Sequence, residues 1–346
     1  MKAVFHNYDG KLYLDEIPKP VPGPEEVLVR IAYSCICDDE IQVVNGGSNY
    51  FRTYNSFSTN GMQGIGHEAS GIVEKSCPEA EELGIVEGVE VTIHPNIFCG
   101  KCRYCLTGKE NLCLHRTSTM RMMREYITVN YRNVYPLKGR ISLKEGCLVQ
   151  PIACVLRAVE NSGITFGQSV LVIGNTFASI IMVMLARKHG AKLVSVIGFD
   201  DYFLNSAISH GADYAFSIQK PEDMAEAMRV TDCLGYDVVL ETSWLFINKD
   251  IAMGMLGRGG VIVYFSQVNT NATLSFNAFE TFWKEATIRT AYGFPYGYER
   301  TIDCIKNLDL TSLTSTTYPI SEIQAAYESI SYGSNLKAII RFNEFE

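Results

Sequence analysis

The sequence predicts an α/β protein in two parts, an irregular β-rich region and a doubly wound parallel-sheet region, and three observations carry that reading. The 346 residues exceed one ordinary core, since domains typically run to about 100–200 residues. Up to about residue 150, short β-rich runs such as 27–32 and 70–74 alternate with Pro, Gly and Asn clusters. After Gly167 the rhythm changes to strand, helix, strand: an apolar run at 169–173 ends at Gly174, an amphipathic stretch reaches Lys188, and 192–197 resumes as a buried strand.

That alternation continues through a strand at 237–241, a short helix ending near Gly257, a turn at Gly257-Arg258-Gly259-Gly260, and a strand at 261–265. Strands linked by helices imply a parallel sheet with helices on both faces, a nucleotide-binding architecture by default. A helical stretch at 321–329 and a strand-like run at 336–342 have no partner in this unit and are expected to return to the first region. The expected boundaries are therefore 1–154, 155–285 and 286–346, with no internal repeat.

Composition narrows the function classes. Hydrophobic residues at 47 % and charged residues at 20 % are globular values, so both parts should fold. A net charge of −8 argues against a general affinity for phosphodiester backbones. The first residues lack the apolar core of a signal peptide, and no run is long and apolar enough to span a membrane. A cytoplasmic protein with neither nucleic acid nor membrane as partner is expected. The eleven cysteines then read as thiols or metal ligands rather than disulfides.

Their spacing favours metal. In FCGKCRYCLTGKENLC, Cys99, Cys102, Cys105 and Cys113 place three thiolates in a tight loop and a fourth to close a tetrahedron. Four thiolates leave no position for water, so a zinc held there in loop 99–113 would be structural, its binding energy becoming folding energy. An iron–sulfur cluster and four unligated thiols are the alternatives.

This loop, with CICDDE at 35–40, GIGHEASGIV at 64–73, DVVLET at 237–242 and LGRGGVIV at 256–263, resembles the zinc-dependent medium-chain dehydrogenase/reductase superfamily nearly end to end. Within it the chain is most similar to the sorbitol, galactitol-phosphate and aminocyclitol dehydrogenase branch. The resemblance implies a GroES-like catalytic domain split around a Rossmann domain, one structural and one catalytic zinc, NAD or NADP, and a homodimer or homotetramer. The implied reaction interconverts a secondary alcohol and a ketone on a polyol, cyclitol, aminocyclitol or sugar-derived small molecule. Cys37 and His67 would ligate the catalytic zinc, and Glu68 would do so or trade places with water. The mixture of thiolate, imidazole and carboxylate suits an ion that keeps one position open.

The chain departs from the family's pattern in several places. Gln150 stands at the fourth ligand position, where relatives carry Glu or Cys; it either coordinates through its neutral carbonyl or caps the domain crossover. Cys154, four residues on, reads as core packing. Asp39 replaces the Ser or Thr that relays the alcohol proton, and either accepts that proton itself or turns to solvent. Glu40 replaces Asp and is expected to form a salt bridge or cap. The dinucleotide fingerprint reads Gly174-Asn175-Thr176-Phe177-Ala178-Ser179, with its second and third glycines lost. Ser179 is small enough for helix–strand packing, and the Thr176 hydroxyl could reach a phosphate.

Gly198 occupies the position of the acid that grips the adenosine ribose. The nearby Asp200 and Asp201 would repel a 2′-phosphate, so NAD is favoured, with Asp200 as the candidate ribose partner. The polar loop 45–64 is a candidate pocket lining, and its Arg52 a candidate partner for a substrate phosphate. So many departures together motivate a rival reading, a zinc-stabilised binding or scaffold protein without activity.

Overall fold

The structure, a computed structural model, describes residues 1–46, 58–59, 62–119, 121–243, 249–265 and 273–343. The chain forms two compact units, Met1–Ala153 with Phe294–Glu346, and Cys154–Gly293. Among the described residues, no helix is long and apolar enough to cross a membrane.

The first unit is organised by the strand Glu26–Ile36, EVLVRIAYSCI, whose β-branched and apolar residues are buried almost throughout. It runs four residues beyond the strand expected at 27–32 and so delivers the chain to Cys37. Among the described residues it lies inside a seven-stranded sheet, with Ala69–Lys75 on one side, Ala338–Arg341 on the other, and Tyr126–Asn130 pairing it as well. Its register with Ala69–Lys75 shifts twice, and beside the second shift Gly71 packs against the neighbouring backbone. A Cβ there would meet the Arg30 carbonyl oxygen at 2.2 Å, which explains the glycine after His67-Glu68-Ala69-Ser70.

Two pairings position the chemistry. Ala69 lies opposite Ser34, and Ala338 lies opposite Ile36. The residues just beyond these pairs, Glu68 and Lys337, are thereby brought to the same sheet end as Cys37. The returning segment thus adds two strands, Ala338–Arg341 and Thr317–Pro319, to the sheet of the first unit. Its core gathers Val27, Val29, Ile31, Val91, Ile93 and Ile340, all essentially inaccessible to solvent.

The second unit holds a six-stranded parallel sheet among the described residues. Its order is Tyr214–Ser217, Leu193–Gly198, Ser169–Ile173, Tyr236–Glu241, Leu256–Tyr264, Thr287–Thr290. The chain works outward from Ser169–Ile173 in one direction and then restarts beside it with Tyr236–Glu241. That reversal makes the carboxyl ends of these two strands the switch point where ligands bind in such sheets.

Two expectations change here. The strand Thr287–Thr290 pairs with Leu256–Tyr264, so the parallel sheet extends past residue 285. Gly257, Arg258, Gly259 and Gly260 lie within the strand Leu256–Tyr264 rather than in a turn before it. The cause is a close approach of two backbones: a Cβ on Gly235 would meet the Gly257 nitrogen at 2.6 Å, and one on Gly257 would meet the Leu234 carbonyl oxygen at 3.0 Å.

Candidate metal and cofactor sites

The four cysteines of loop 99–113 converge, their Sγ atoms all within 4.8 Å of one another. Cys102 lies 3.6 Å from Cys105 and 3.9 Å from Cys113, and Cys99 lies 3.9 Å from Cys105. A zinc–sulfur bond of about 2.3 Å gives a tetrahedron whose edges are about 3.8 Å, so the spacing fits one zinc ion. Backbone N–H groups of Cys99, Cys102 and His115 point at these sulfurs, at 3.4 Å each. Such donors favour thiolates: the Lys101 N–H, with that of Cys102, holds Cys99 below its ordinary value. The loop has little apolar burial of its own, since Leu106, Leu112 and Leu114 are all exposed.

The second cluster forms where the long strand ends and a short helix, Asp38–Val44, begins. Cys37 is the N-cap of that helix. Glu40 accepts a hydrogen bond from the Cys37 N–H at 2.6 Å, and its other oxygen lies 2.7 Å from His67 Nδ1. Glu40 is thus the salt bridge and cap expected of it. With Nδ1 engaged, Nε2 is the ring nitrogen suited to ligate a metal.

The residues that gather are Cys37, Asp39 and His67, whose ligand atoms lie within 4.8 Å of one another. Burial lifts the Cys37 thiol well above its ordinary value, with Asp39 and Glu68 adding to it. Burial likewise raises Asp39 to about 7 and Asp38 to about 6. For His67 burial acts downward, but the charges of Glu40, Glu68 and Asp39 outweigh it and hold the ring up near 9. This surround favours a cation at that point, be it a proton on the ring or a metal ion, so the donor set fits the implied zinc.

Glu68 is engaged elsewhere. Its Oε2 lies 2.6 Å from Lys337 Nζ, with both side chains almost wholly inaccessible. Its backbone carbonyl accepts from Ser34 Oγ at 2.6 Å and from the Cys35 N–H at 3.2 Å. Lys337 escaped the sequence reading because an isolated lysine near the chain end carries no motif. Only the pairing of Ala338–Arg341 with Glu26–Ile36 reveals it. Gln150 opens the helix Val149–Ser162 and is partly exposed, as is Cys154 in the same helix. Most of the 45–64 loop, Arg52 included, lies outside the described residues.

In the second unit the fingerprint forms the turn between Ser169–Ile173 and the helix Phe177–Lys188. Thr176 caps that helix, its hydroxyl accepting from the Ser179 N–H. In that cap the hydroxyl is the acceptor, so its own proton is not used by it. Ser179 Oγ lies 2.7 Å from Thr242 Oγ1. A Cβ on Gly174 would meet those two oxygens at 2.5 and 1.9 Å, so only glycine fits the first position.

Asn175 ties the turn to the next strand. Its Oδ1 accepts from the Phe199 N–H at 2.9 Å, and its Nδ2 donates to Asp200. Asp200 also caps the helix Asp201–Ser209 through the Phe203 N–H at 2.8 Å. A Cβ on Gly198 would meet the Phe203 ring at 2.6 Å, which excludes an acid there and leaves Asp200 as the carboxylate at that strand end.

Comparisons with known proteins agree with this geometry. The alcohol dehydrogenase GroES-like domain matches residues 23–139. Sorbitol dehydrogenase of Halalkalibacterium halodurans is 26 % identical over 349 residues, covering 96 % of each chain. An uncharacterised zinc-type alcohol dehydrogenase-like protein of Escherichia coli is 25 % identical, covering 89 % of each chain. The crystal structure of a candidate zinc-binding dehydrogenase from Clostridium scindens superposes with a TM-score of 0.92 at 25 % identity, covering 99 % of each chain. Motif loop, split first unit, parallel sheet and relatives agree: residues 23–139 match the alcohol dehydrogenase GroES-like domain, and along nearly its whole length the chain is similar to zinc-type alcohol and sorbitol dehydrogenases.

Proposed function

We propose that the protein is a zinc-dependent, NAD(P)-linked oxidoreductase that interconverts a secondary alcohol and a ketone on a polyol, cyclitol, aminocyclitol or other sugar-derived small molecule. The observation that carries this is the convergence of Cys37, Asp39 and His67 within 4.8 Å, in a chain that also builds a doubly wound parallel sheet. Sorbitol dehydrogenase and D-xylulose reductase among the relatives support the substrate class.

When bound, zinc supplies Lewis-acid polarisation of the substrate oxygen and nicotinamide supplies the hydride acceptor. The chain's own residues fix the geometry. The helix start presents Cys37 and Asp39 side by side, Glu40 orients the His67 ring, and Lys337 balances the charge of Glu68. In the second unit, the turn at Gly174 and the amides at the start of Phe177–Lys188 suit a pyrophosphate. The carboxylate of Asp200 supports NAD over NADP.

The four-cysteine loop is read as a second, structural zinc site. Eleven cysteines, four of them gathered at metal-ligand spacing, suit a reducing compartment and support a cytoplasmic location. A homodimer or homotetramer is the assembly the resemblance supports. The test pairs metal analysis with the absorbance of the reduced-nicotinamide band in the presence of polyols. Two zinc ions per chain and cofactor reduction are expected; about one zinc with no cofactor binding overturns the proposal.

A further inference from the structure

Four carboxylates crowd the first unit's sheet end, Asp38, Asp39, Glu40 and Glu68, and the last three differ in what already holds them. Glu40 is committed to His67 and to the N–H of Cys37. Glu68 is committed to Lys337 at 2.6 Å, in a pair whose side chains are 0 % and 4 % exposed. Drawing Glu68 Oε2 away to a metal ion would leave the Lys337 ammonium buried without its counter-charge, which is costly. The Glu68 backbone, clamped by Ser34 and Cys35, restricts such a move further.

Asp39 differs from both. It is the second residue of a helix capped by Cys37, and its carboxylate shares the 4.8 Å cluster with the Cys37 thiol and the His67 ring. Zinc bonds to oxygen, nitrogen and sulfur run from about 2.0 to 2.3 Å, so tetrahedral ligand atoms sit about 3.3–3.8 Å apart. A cluster already drawn within 4.8 Å needs only small side-chain rotations to close on one ion. A Cys37 thiolate and an Asp39 carboxylate offset a dication, Lys337 offsets Glu68, and Glu40 spends its charge on the hydrogen bond from His67 Nδ1–H.

We propose that Asp39, not Glu68, is the third protein ligand of the catalytic metal, and that Lys337 is a positioning residue that holds Glu68 outside the coordination sphere. This rests on the reading of that cluster as a metal centre. A coordinating Asp39 is not the proton acceptor that its place in the sequence suggests, so the alcohol proton leaves by another group.

The experiment uses the full-length protein loaded with cobalt(II), whose ligand-field absorption reports the donor set, together with metal affinity from chelator competition. Asp39→Asn is expected to shift the bands of the Cys37 site and to weaken binding by more than the roughly 10- to 100-fold that loss of an outer hydrogen-bonding partner costs. Glu68→Gln is expected to leave the bands unchanged and to stay within that range. Lys337→Met frees Glu68 and shifts the bands, and adding Glu68→Gln to it restores them.

The opposite pattern, bands moved by Glu68→Gln and untouched by Asp39→Asn, overturns the proposal. Asp39→Glu, which keeps the charge, covers the case in which Asp39→Asn does not fold: it should hold metal more tightly than Asp39→Ser, and equal affinities overturn the assignment. Uptake of one cobalt per chain, with only the spectrum of a four-thiolate site, instead overturns the metal-centre reading itself.

Discussion

His94 shows how a single residue can set the acid limit of the fold. It is 4 % exposed, and its Nδ1 accepts the Asn96 N–H at 2.9 Å. Its ring lies 4.7 Å from that of Tyr298, 4.9 Å from Phe294 and 5.3 Å from Phe98. Burial among these rings, with a small addition from Arg116, pushes it down to about 3. An unfolded chain would bind that proton near pH 6.5. Between about pH 6.5 and 3 the unfolded state therefore holds a proton that the native state refuses. Stability contributed by the neutral ring is complete above pH 6.5 and is lost as pH falls through this window, at up to about 1.4 kcal/mol per pH unit. In denaturant titrations, His94→Gln should lose some stability at pH 7 yet show a shallower decline toward pH 4 than the parent. Equal slopes would remove His94 from the acid response.

At the scale of elements, the strand ends and helix starts carry the specificity. Asp200 caps the helix Asp201–Ser209 and receives the Asn175 amide, so one side chain links the phosphate turn to the end of Leu193–Gly198. Asn caps a helix about as well as Asp, so Asp200→Asn should preserve the fold while removing the charge proposed to oppose a 2′-phosphate. The ratio of dissociation constants for NADP and NAD, measured by fluorescence titration, should fall by about tenfold, or ~1.4 kcal/mol. An unchanged ratio would dissociate Asp200 from cofactor choice.

These elements also mark how far the sequence could be read. The cysteine loop and the strand–turn–helix at Gly174 were legible because their signals are local, a spacing of thiols and a switch of hydrophobic period. Gly198 was legible as a departure, but its reason, the Phe203 ring packed on it, required the fold. Lys337 was invisible because its meaning comes from a strand pairing across most of the chain. The partners of Glu68 and Asp39 were hidden for the same reason: residue types name candidate ligands, but only packing decides which carboxylate is already neutralised.

At the scale of the whole molecule, the two units each own a core and divide the candidate ligands between them. The nine metal-binding candidates, Asp39 included, fall in Met1–Ala153, and the dinucleotide turn with Asp200 falls in Cys154–Gly293. The first core is built around Val27, Val29 and Ile31, the second around Leu171, Ile173 and Val239. A ligand stabilises the folding unit that binds it by RT ln(1 + [L]/Kd), about 2.7 kcal/mol at a hundredfold excess over Kd. For a unit of this size that corresponds to a shift in melting temperature of roughly 5–10 °C. Calorimetry is therefore expected to resolve two transitions that answer to different ligands. NAD should raise one of them and leave the other in place. A strong chelator should lower the other, because a zinc held by the cysteine loop, as proposed, would contribute directly to the folding of the first unit. Limited proteolysis at the intermediate temperature should then cut within 99–113 in the chelated protein while sparing 169–243. A single transition moved equally by cofactor and chelator would mean that the two cores melt as one, and the division of labour between them would have to be abandoned as a thermodynamic description.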